Sequence, residues 1–229
     1  MSEPESFESI AIVGGTGALG GGLAMACARA GMTVFIGSRD GARAAAAAAE
    51  IAAATGASVT GMDNVACAQA GDIVAVTVPA ASQVATLESI AAATAGKIVL
   101  DTTVPLVPPK VARVQMPAEG SAANRAAAAL GSEARLVTGF HSVSAQKLRS
   151  GEAIAGDVLL FSDDVAARAA IVALAERIGL RGVHAGPLAN SVAAEALTSV
   201  LIGINKRYNV PEGAGIVVTG IGPRADASA

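Results

Sequence analysis

The sequence predicts an α/β protein, a doubly wound parallel sheet followed by a small C-terminal α/β lobe. Three observations carry that prediction. Short β-branched runs alternate with longer alanine-rich runs, the pattern of successive βαβ units. The chain has 229 residues, 52% of them hydrophobic, enough for one large domain or for a full domain plus a small one. Aromatic residues make up only 2%, so the core must consist of small aliphatic groups, with helices and strands packed close together.

The elements follow in order. A strand at Ser9–Val13 leads into a helix over 20–30, a second strand over 33–37 and a helix over 42–54. The alanine run at 44–49 reads as the inner part of that helix, because alanine is the best helix former. A brief third strand is expected at 59–60, a short helix at Asn64–Ala70 and a buried strand over 72–78, closed by Pro79. A helix over 84–93 and a strand over 97–101 precede a proline-rich stretch, 104–117, that cannot be regular for long. A helix over 121–130 and a sixth strand at Arg135–Thr138 complete the first unit. Beyond it come a strand over 157–161, a helix over 165–178, a short strand over 181–185, a long helix over 190–207 and an apolar end at 215–221. This divides the chain into residues 1–145, a large α/β domain, and 146–229, a small lobe.

Composition narrows the partners. A net charge of −3 argues against nucleic acid, which selects a basic face. Cys27 and Cys67 have neither metal-ligand nor disulfide spacing, which points to a reducing cytoplasm and to no metal. The first residues, Met-Ser-Glu-Pro-Glu-Ser-Phe-Glu, are acidic where a signal peptide would be basic. Apolar stretches are expected to break before they reach membrane-spanning length.

The strongest motif is Gly14-Gly15-Thr16-Gly17-Ala18-Leu19-Gly20, which contains G-x-G-x-x-G as Gly15, Gly17 and Gly20 between a strand and a helix. Gly15 is expected to make the tight turn, Gly17 to let the backbone approach a pyrophosphate, and Gly20 to bring helix and strand together. The helix start offers free N–H groups to the phosphates. This is the Rossmann pattern, with Thr16, Ala18 and Leu19 in the phosphate loop. The second strand ends in Ser38-Arg39, with Arg43 a turn further on, where an NAD site would carry an acid. Ser38 can donate to a 2′-phosphate, Arg39 and Arg43 can supply charge, and the Arg39 plane can stack on adenine, so NADP(H) is favoured. Asp40 is expected to cap the following helix. Thr77, Val78 and Pro79 end a strand at the same carboxyl edge, either lining the ribose and nicotinamide path or simply terminating the strand.

With these residues the chain resembles the NADPH-dependent F420 reductases (F420H2:NADP oxidoreductases). The matching segments are the glycine motif at 14–20, Gly-Ser-Arg at 37–39, Thr-Gly-Met at 60–62, Asp72-Ile73 with Thr77-Val78-Pro79, and Gly-Ser-Ala-Ala at 120–123. Phe140-His141-Ser142-Val143, Ala-Gly-Pro-Leu-Ala-Asn-Ser at 185–191, Glu195 and Leu197-Thr198 extend the match along nearly the whole chain. The resemblance implies hydride exchange between NADP(H) and coenzyme F420, a deazaflavin. Thr16, Ser38, Arg39 and Arg43 would then hold the NADP phosphates, and Thr77 to Pro79, His141 and Val143 would lie where the two rings stack. Two positions depart from the family pattern: Val192 stands where an Arg is common, and Ser144 where some members have Pro, a change expected to loosen the loop after His141.

His141 has two readings, a contact to the deazaflavin that steadies its reduced form, or a histidine bonded to loop backbone. Asp101 reads equally as structural or site-facing. Besides F420, a flavin or another small oxidised molecule fits the same NADP(H) fold, with His141 or Lys147 as proton donor for a carbonyl or imine. A non-catalytic NADPH sensor is the reading from a different class. Apolar positions on more than one face of the helix over 190–207 suggest burial between subunits, hence a homodimer.

Overall fold

The computed structural model describes residues 7–211 and 213–222. Six parallel strands form one sheet: β1 (Ser9–Val13), β2 (Thr33–Ser38), β3 (Val59–Asp63), β4 (Ile73–Val76), β5 (Ile98–Asp101) and β6 (Arg135–Thr138). Their order, β3-β2-β1-β4-β5-β6, reverses direction between β1 and β4, and this is the switch point where doubly wound sheets bind nucleotides. The register pairs Ile10 with Val34 on one side and with Ile73 on the other.

Strands buried on both faces read as continuous apolar runs, and β1, β4 and β5 do so. Alternate residues supply two cores. Ile10, Ile12, Ile36, Ile73 and Leu100 face one side, where α1 (Ala18–Arg29) and α2 (Gly41–Thr55) pack. Ala11, Val13, Val74, Val76 and Val99 face the other, against α3 (Asn64–Ala70), α4 (Gln83–Ile90) and α5 (Ala122–Leu130). The expected small-residue packing is literal: a Cβ on Gly61 would fall 2.3 Å from the Ala44 carbonyl, so α2 rests on bare β3 backbone.

Beyond the sheet lie α6 (Ala145–Ser150), β7 (Asp157–Leu160), α7 (Val165–Arg177), β8 (Arg181–His184) and α8 (Ser191–Tyr208). β7 and β8 form a separate parallel pair, and an antiparallel bridge from Thr138 to Phe161 fastens them to the end of β6. The apolar end forms no strand or helix within the described residues, yet it is tied down. Asp157 donates its N–H to the Ile216 carbonyl at 2.7 Å, and its carboxylate accepts from Val218 N–H and from Arg181.

Several expectations are corrected. α1 begins at Ala18 and not at Gly20, since the backbone is helical as soon as Gly17 ends the turn. β4 stops at Val76, leaving Thr77, Val78 and Pro79 in the loop. β3 runs on to Asp63 because it pairs with β2 through Ser38. The helix expected over 84–93 is an α-helical core between 3-10 turns at Ala80–Ser82 and Ala91–Thr94. α6 was not expected at all. Ser144 caps it, accepting from Lys147 N–H, so this residue anchors the segment after His141 and does not loosen it. Finally, Leu188–Tyr208 is long and apolar enough, by length and composition alone, to cross a membrane, with 28% of its window buried. Its polar residues Ser191, Glu195 and Thr198 are nevertheless bonded into the fold.

Candidate active site

The carboxyl ends of β1, β2, β4 and β6 bring the predicted residues to one edge of the sheet. After β1 the left-handed turn falls on Gly14 (φ 76°), one residue before the expected Gly15. Gly15 is required for a different reason, because a Cβ there would lie 2.8 Å from the Ile12 carbonyl. Its N–H donates to Gly37 at 3.0 Å, tying the loop to β2. Gly20 is packed as expected, its missing Cβ lying 2.5 Å from Thr77 Oγ1 and 2.7 Å from Gly15 Cα. Gly17 is the exception: exposed, with no protein atom nearer than 3.5 Å to a Cβ placed there. It caps α1 without any side-chain acceptor, so the first amides of the helix face open space beside Thr16, Ala18 and the half-buried Leu19. Exposed, uncapped N–H groups at the positive end of a helix fit a diphosphate.

At the end of β2, Ser38 is buried and its Oγ accepts the Asp40 N–H at 3.1 Å, which leaves its own proton free to donate. Asp40 caps α2 through Ala42 and Arg43 N–H, as expected. Its carboxylate is thus committed to the helix. The side chains of Arg39 and Arg43 are exposed and have no hydrogen bond or ion pair among the described residues. Two free guanidinium groups beside a hydroxyl donor fit a phosphate monoester. Thr77 behaves differently: its hydroxyl donates to the Val13 carbonyl at 3.0 Å and braces the glycine loop, so only its backbone and methyl group remain for a ligand.

His141 follows β6. It is 9% exposed, and neither ring nitrogen has a hydrogen-bond partner among the described residues. The reading as a backbone-bonded histidine therefore fails. Burial pushes its pKa down to about 4, so the ring is neutral at physiological pH. A neutral imidazole can donate or accept one hydrogen bond, but it cannot neutralise an anion by charge. Phe140, immediately before it, is fully buried in a left-handed conformation (φ 62°), a strained state held by its surroundings. The ring borders a cleft of about 180 Å³ shared with Val143, Ser144, Thr198, Ile202 and Asn205. Buried, unpartnered ring nitrogens beside a cleft of mixed lining, Ser142, Ser144, Thr198 and Asn205 with Val143, Leu201 and Ile202, fit a ligand that brings its own hydrogen-bonding edge.

A buried polar network beneath this edge was not foreseen as such. Glu195, 1% exposed, accepts the N–H groups of Ala122 at 2.6 Å and Ala123 at 3.1 Å, together with the Ser191 hydroxyl at 3.0 Å. It thereby occupies the start of α5, which explains why Gly-Ser-Ala-Ala and Glu195 stand out together in the sequence. Asp101 proves to be buried structure, accepting from Gln83 at 2.6 Å and Thr103 at 2.7 Å, with burial raising its pKa to about 6. Burial raises Glu195 as well. The available signal was a lone carboxylate inside an apolar helix, which must find partners. Among the described residues no group of three or more His, Cys, Asp or Glu side chains is gathered to hold a metal.

Comparison with known proteins agrees with this geometry. Residues 9–105 match the family described as NADP oxidoreductase coenzyme F420-dependent. The F420-dependent NADP reductase of Methanothermobacter thermautotrophicus is 39% identical over 221 residues, covering 93% of this chain and 95% of the relative. That of Methanocaldococcus jannaschii is 33% identical over 222 residues, covering 93% and 98%. A crystal structure from Arthrobacter, whose own assignment as an F420-dependent NADP reductase is provisional, superposes with a TM-score of 0.77 at 23% identity over 93% of this chain and all of that one. An Aspergillus terreus reductive aminase shares the fold, with a TM-score of 0.61 at 19% identity over 90% and 63%. Likeness at more than a third identity, running from the glycine loop to α8, is more than a shared fold can account for, and the chain belongs to the F420-dependent NADP reductase family.

Proposed function

We propose that this protein is an oxidoreductase that moves a hydride reversibly between NADP(H) and coenzyme F420. The observation that carries the reading is the likeness to F420-dependent NADP reductases over more than nine-tenths of both chains. When bound, the two substrates supply the chemistry, a nicotinamide that gives or takes the hydride and a deazaflavin that does the converse.

The residues of this chain bind and orient. The amides opening α1, with Thr16, Gly17, Ala18 and Leu19, hold the diphosphate, while Ser38, Arg39 and Arg43 hold the 2′-phosphate. Gly15 and Gly20 shape the loop, and Thr77, Val78 and Pro79 back it and border the nicotinamide path. His141 and Val143 present the surface against which the second ring lies. Because His141 is neutral above about pH 4, it cannot serve as the cationic acid that carbonyl or imine reduction calls on, and Lys147, the other candidate acid, directs its ammonium to the Ala153 carbonyl at 3.4 Å. Transfer between two carriers needs none. The protein's contribution is then ring distance, facing and exclusion of water.

In this reading residues 1–145 form the NADP(H) unit and 146–229 the lobe that completes the second site. We place the enzyme in the cytoplasm, on the strength of two buried free thiols. We also assign it as a homodimer, because Val192, Val200 and Ile204 leave an apolar face on α8 uncovered. The test of function is NADPH oxidation with F420, FMN and FAD offered separately. Turnover with F420 alone is expected. Turnover with a flavin, or with none of the three despite tight NADPH binding, overturns the assignment.

A further inference from the structure

Thr138, Ser191, Glu195 and Thr198 form a chain of contacts whose last member holds the loop that carries His141. The Thr138 hydroxyl donates to Ser191 Oγ at 2.8 Å, and Ser191 donates to Glu195 at 3.0 Å. Glu195 in turn is fixed by two amides at the start of α5. All three residues of this relay are buried. Ser191, Glu195 and Thr198 are spaced by four and three residues, so they share one face of α8. One turn beyond Glu195, the Thr198 hydroxyl lies 3.0 Å from the His141 carbonyl and 3.2 Å from that of Ala194, so its single proton is shared between the loop and the helix.

Thr138 and His141 are three residues apart at the end of β6, with the strained Phe140 between them. α8 therefore grips this short segment at both ends, through Ser191 at Thr138 and through Thr198 at His141. A helix is rigid over two turns, so the first grip sets the height of the second. With neither ring nitrogen bonded among the described residues, the orientation of His141 depends on its backbone and on packing against Phe161, whose ring centroid lies 6.4 Å away.

We infer that Ser191 and Glu195 are positioning residues for His141: by locking the first turns of α8 to β6 and α5, they fix where the His141 ring stands in the cleft. The activity consequence rests on the proposed hydride transfer; the placement of the ring does not. Removing the Ser191 hydroxyl frees one grip while the carboxylate keeps its two amides.

The experiment measures Ser191→Ala by two independent readouts. The first is steady-state turnover of NADPH with F420, where kcat is expected to fall roughly tenfold or more, the scale on which misplacement of a reacting partner is felt. KM for NADPH should be unchanged, since among the described residues no hydrogen bond joins the glycine loop or Arg39 to this relay. The second is the histidine Cε1–H resonance. The chain has only two histidines, His141 and His184, and His184→Gln assigns them. In Ser191→Ala the His141 signal is expected to shift or broaden and to titrate nearer the ordinary imidazole range, with His184 unmoved.

If the wild-type protein does not turn over F420, the functional reading fails, and the resonance alone decides the positioning. An unmoved His141 signal in a folded Ser191→Ala protein overturns the inference, as does a loss of NADPH affinity in step with kcat. Should Ser191→Ala not fold, Thr138→Val and Thr138→Ser replace it. The serine variant is expected to match the wild type and the valine variant to show the His141 shift; two variants that behave alike refute the relay.

Discussion

At the scale of single residues, charge and its burial govern the behaviour. Arg39 faces solvent with no side-chain partner among the described residues, which leaves its charge available to a ligand. Arg39→Ala is expected to raise KM for NADPH roughly tenfold, the worth of one charge-assisted contact, and to leave KM for NADH nearly unchanged. Equal losses would remove the phosphate-binding role. His141 and Asp101 give stability a pH dependence of opposite sign. His141 sits near 4 when folded against an ordinary 6.5, so its contribution is complete above 6.5 and is lost as pH falls toward 4. Asp101 sits near 6 against 3.8, so its contribution is complete below 3.8 and is lost as pH rises through 6, and Glu195 acts in the same sense. Between pH 6.5 and 4 the two effects oppose each other in the wild type. Single variants should separate them: relative to wild type, the urea midpoint of His141→Leu rises on acidification and that of Asp101→Asn falls. Parallel profiles in both variants would show that neither group carries this load.

At the scale of elements, the glycine loop and α1 separate binding from folding. A Cβ on Gly17 would meet nothing closer than the Gly14 carbonyl oxygen at 3.5 Å, an ordinary contact, whereas Gly20 is blocked by Thr77 and Gly15. Gly17→Val should therefore melt like the wild type yet bind neither NADPH nor NADH, with its side chain in the place of the diphosphate. Gly20→Val should lower Tm markedly as well. A Gly17→Val protein that still binds NADPH would place the phosphates elsewhere. Much of this was legible beforehand. β-branched runs located the central strands, because strands buried on both faces, such as β1, β4 and β5, leave an unbroken apolar signature; β3 and β8 are only partly buried and signal more weakly. Strand ends were less legible: Thr77 looks like strand by composition, but its hydroxyl and amide both turn to the Val13 carbonyl. α6 escaped because six residues are too few to show a period, although its punctuation, Ser144 before and Gly151 after with φ 80°, was present. The partners of Glu195 lie 72 and 73 residues away in the chain, a pairing that no local pattern encodes.

At the scale of the molecule, the C-terminal lobe and the sheet are not separate cores. Val158, Leu160, Ile171 and Leu174 belong to the same apolar cluster as Ile10 and Ile12. α8 lies across this joint with one face bonded inward and Val200, 46% exposed, on another. A second copy covering that face is expected, and Val200→Asp should convert a dimer to a monomer by sedimentation. A wild-type protein that sediments as a monomer would leave the face to another use. The strands and long helices beyond β6 were legible in the sequence, but their attachment was not, because the Thr138–Phe161 bridge and the ties from Asp157 to Ile216 and Val218 are long-range and mostly backbone.

Cys27 and Cys67 have a practical consequence. Both thiols are buried, and burial raises each to about 12, so neither is exposed or ionised while the chain is folded. Their labelling by an aromatic disulfide reagent should be limited by opening of the structure, which makes the native chain its own clock for unfolding. Cys67 on α3 and Cys27 on α1 lie on opposite faces of the sheet. Equal labelling rates would mean that both faces open in one event, and unequal rates would show which face comes apart first. The same silence makes the unaltered protein a clean background, on which a single cysteine placed at exposed Tyr208 would be the only site to take up a probe.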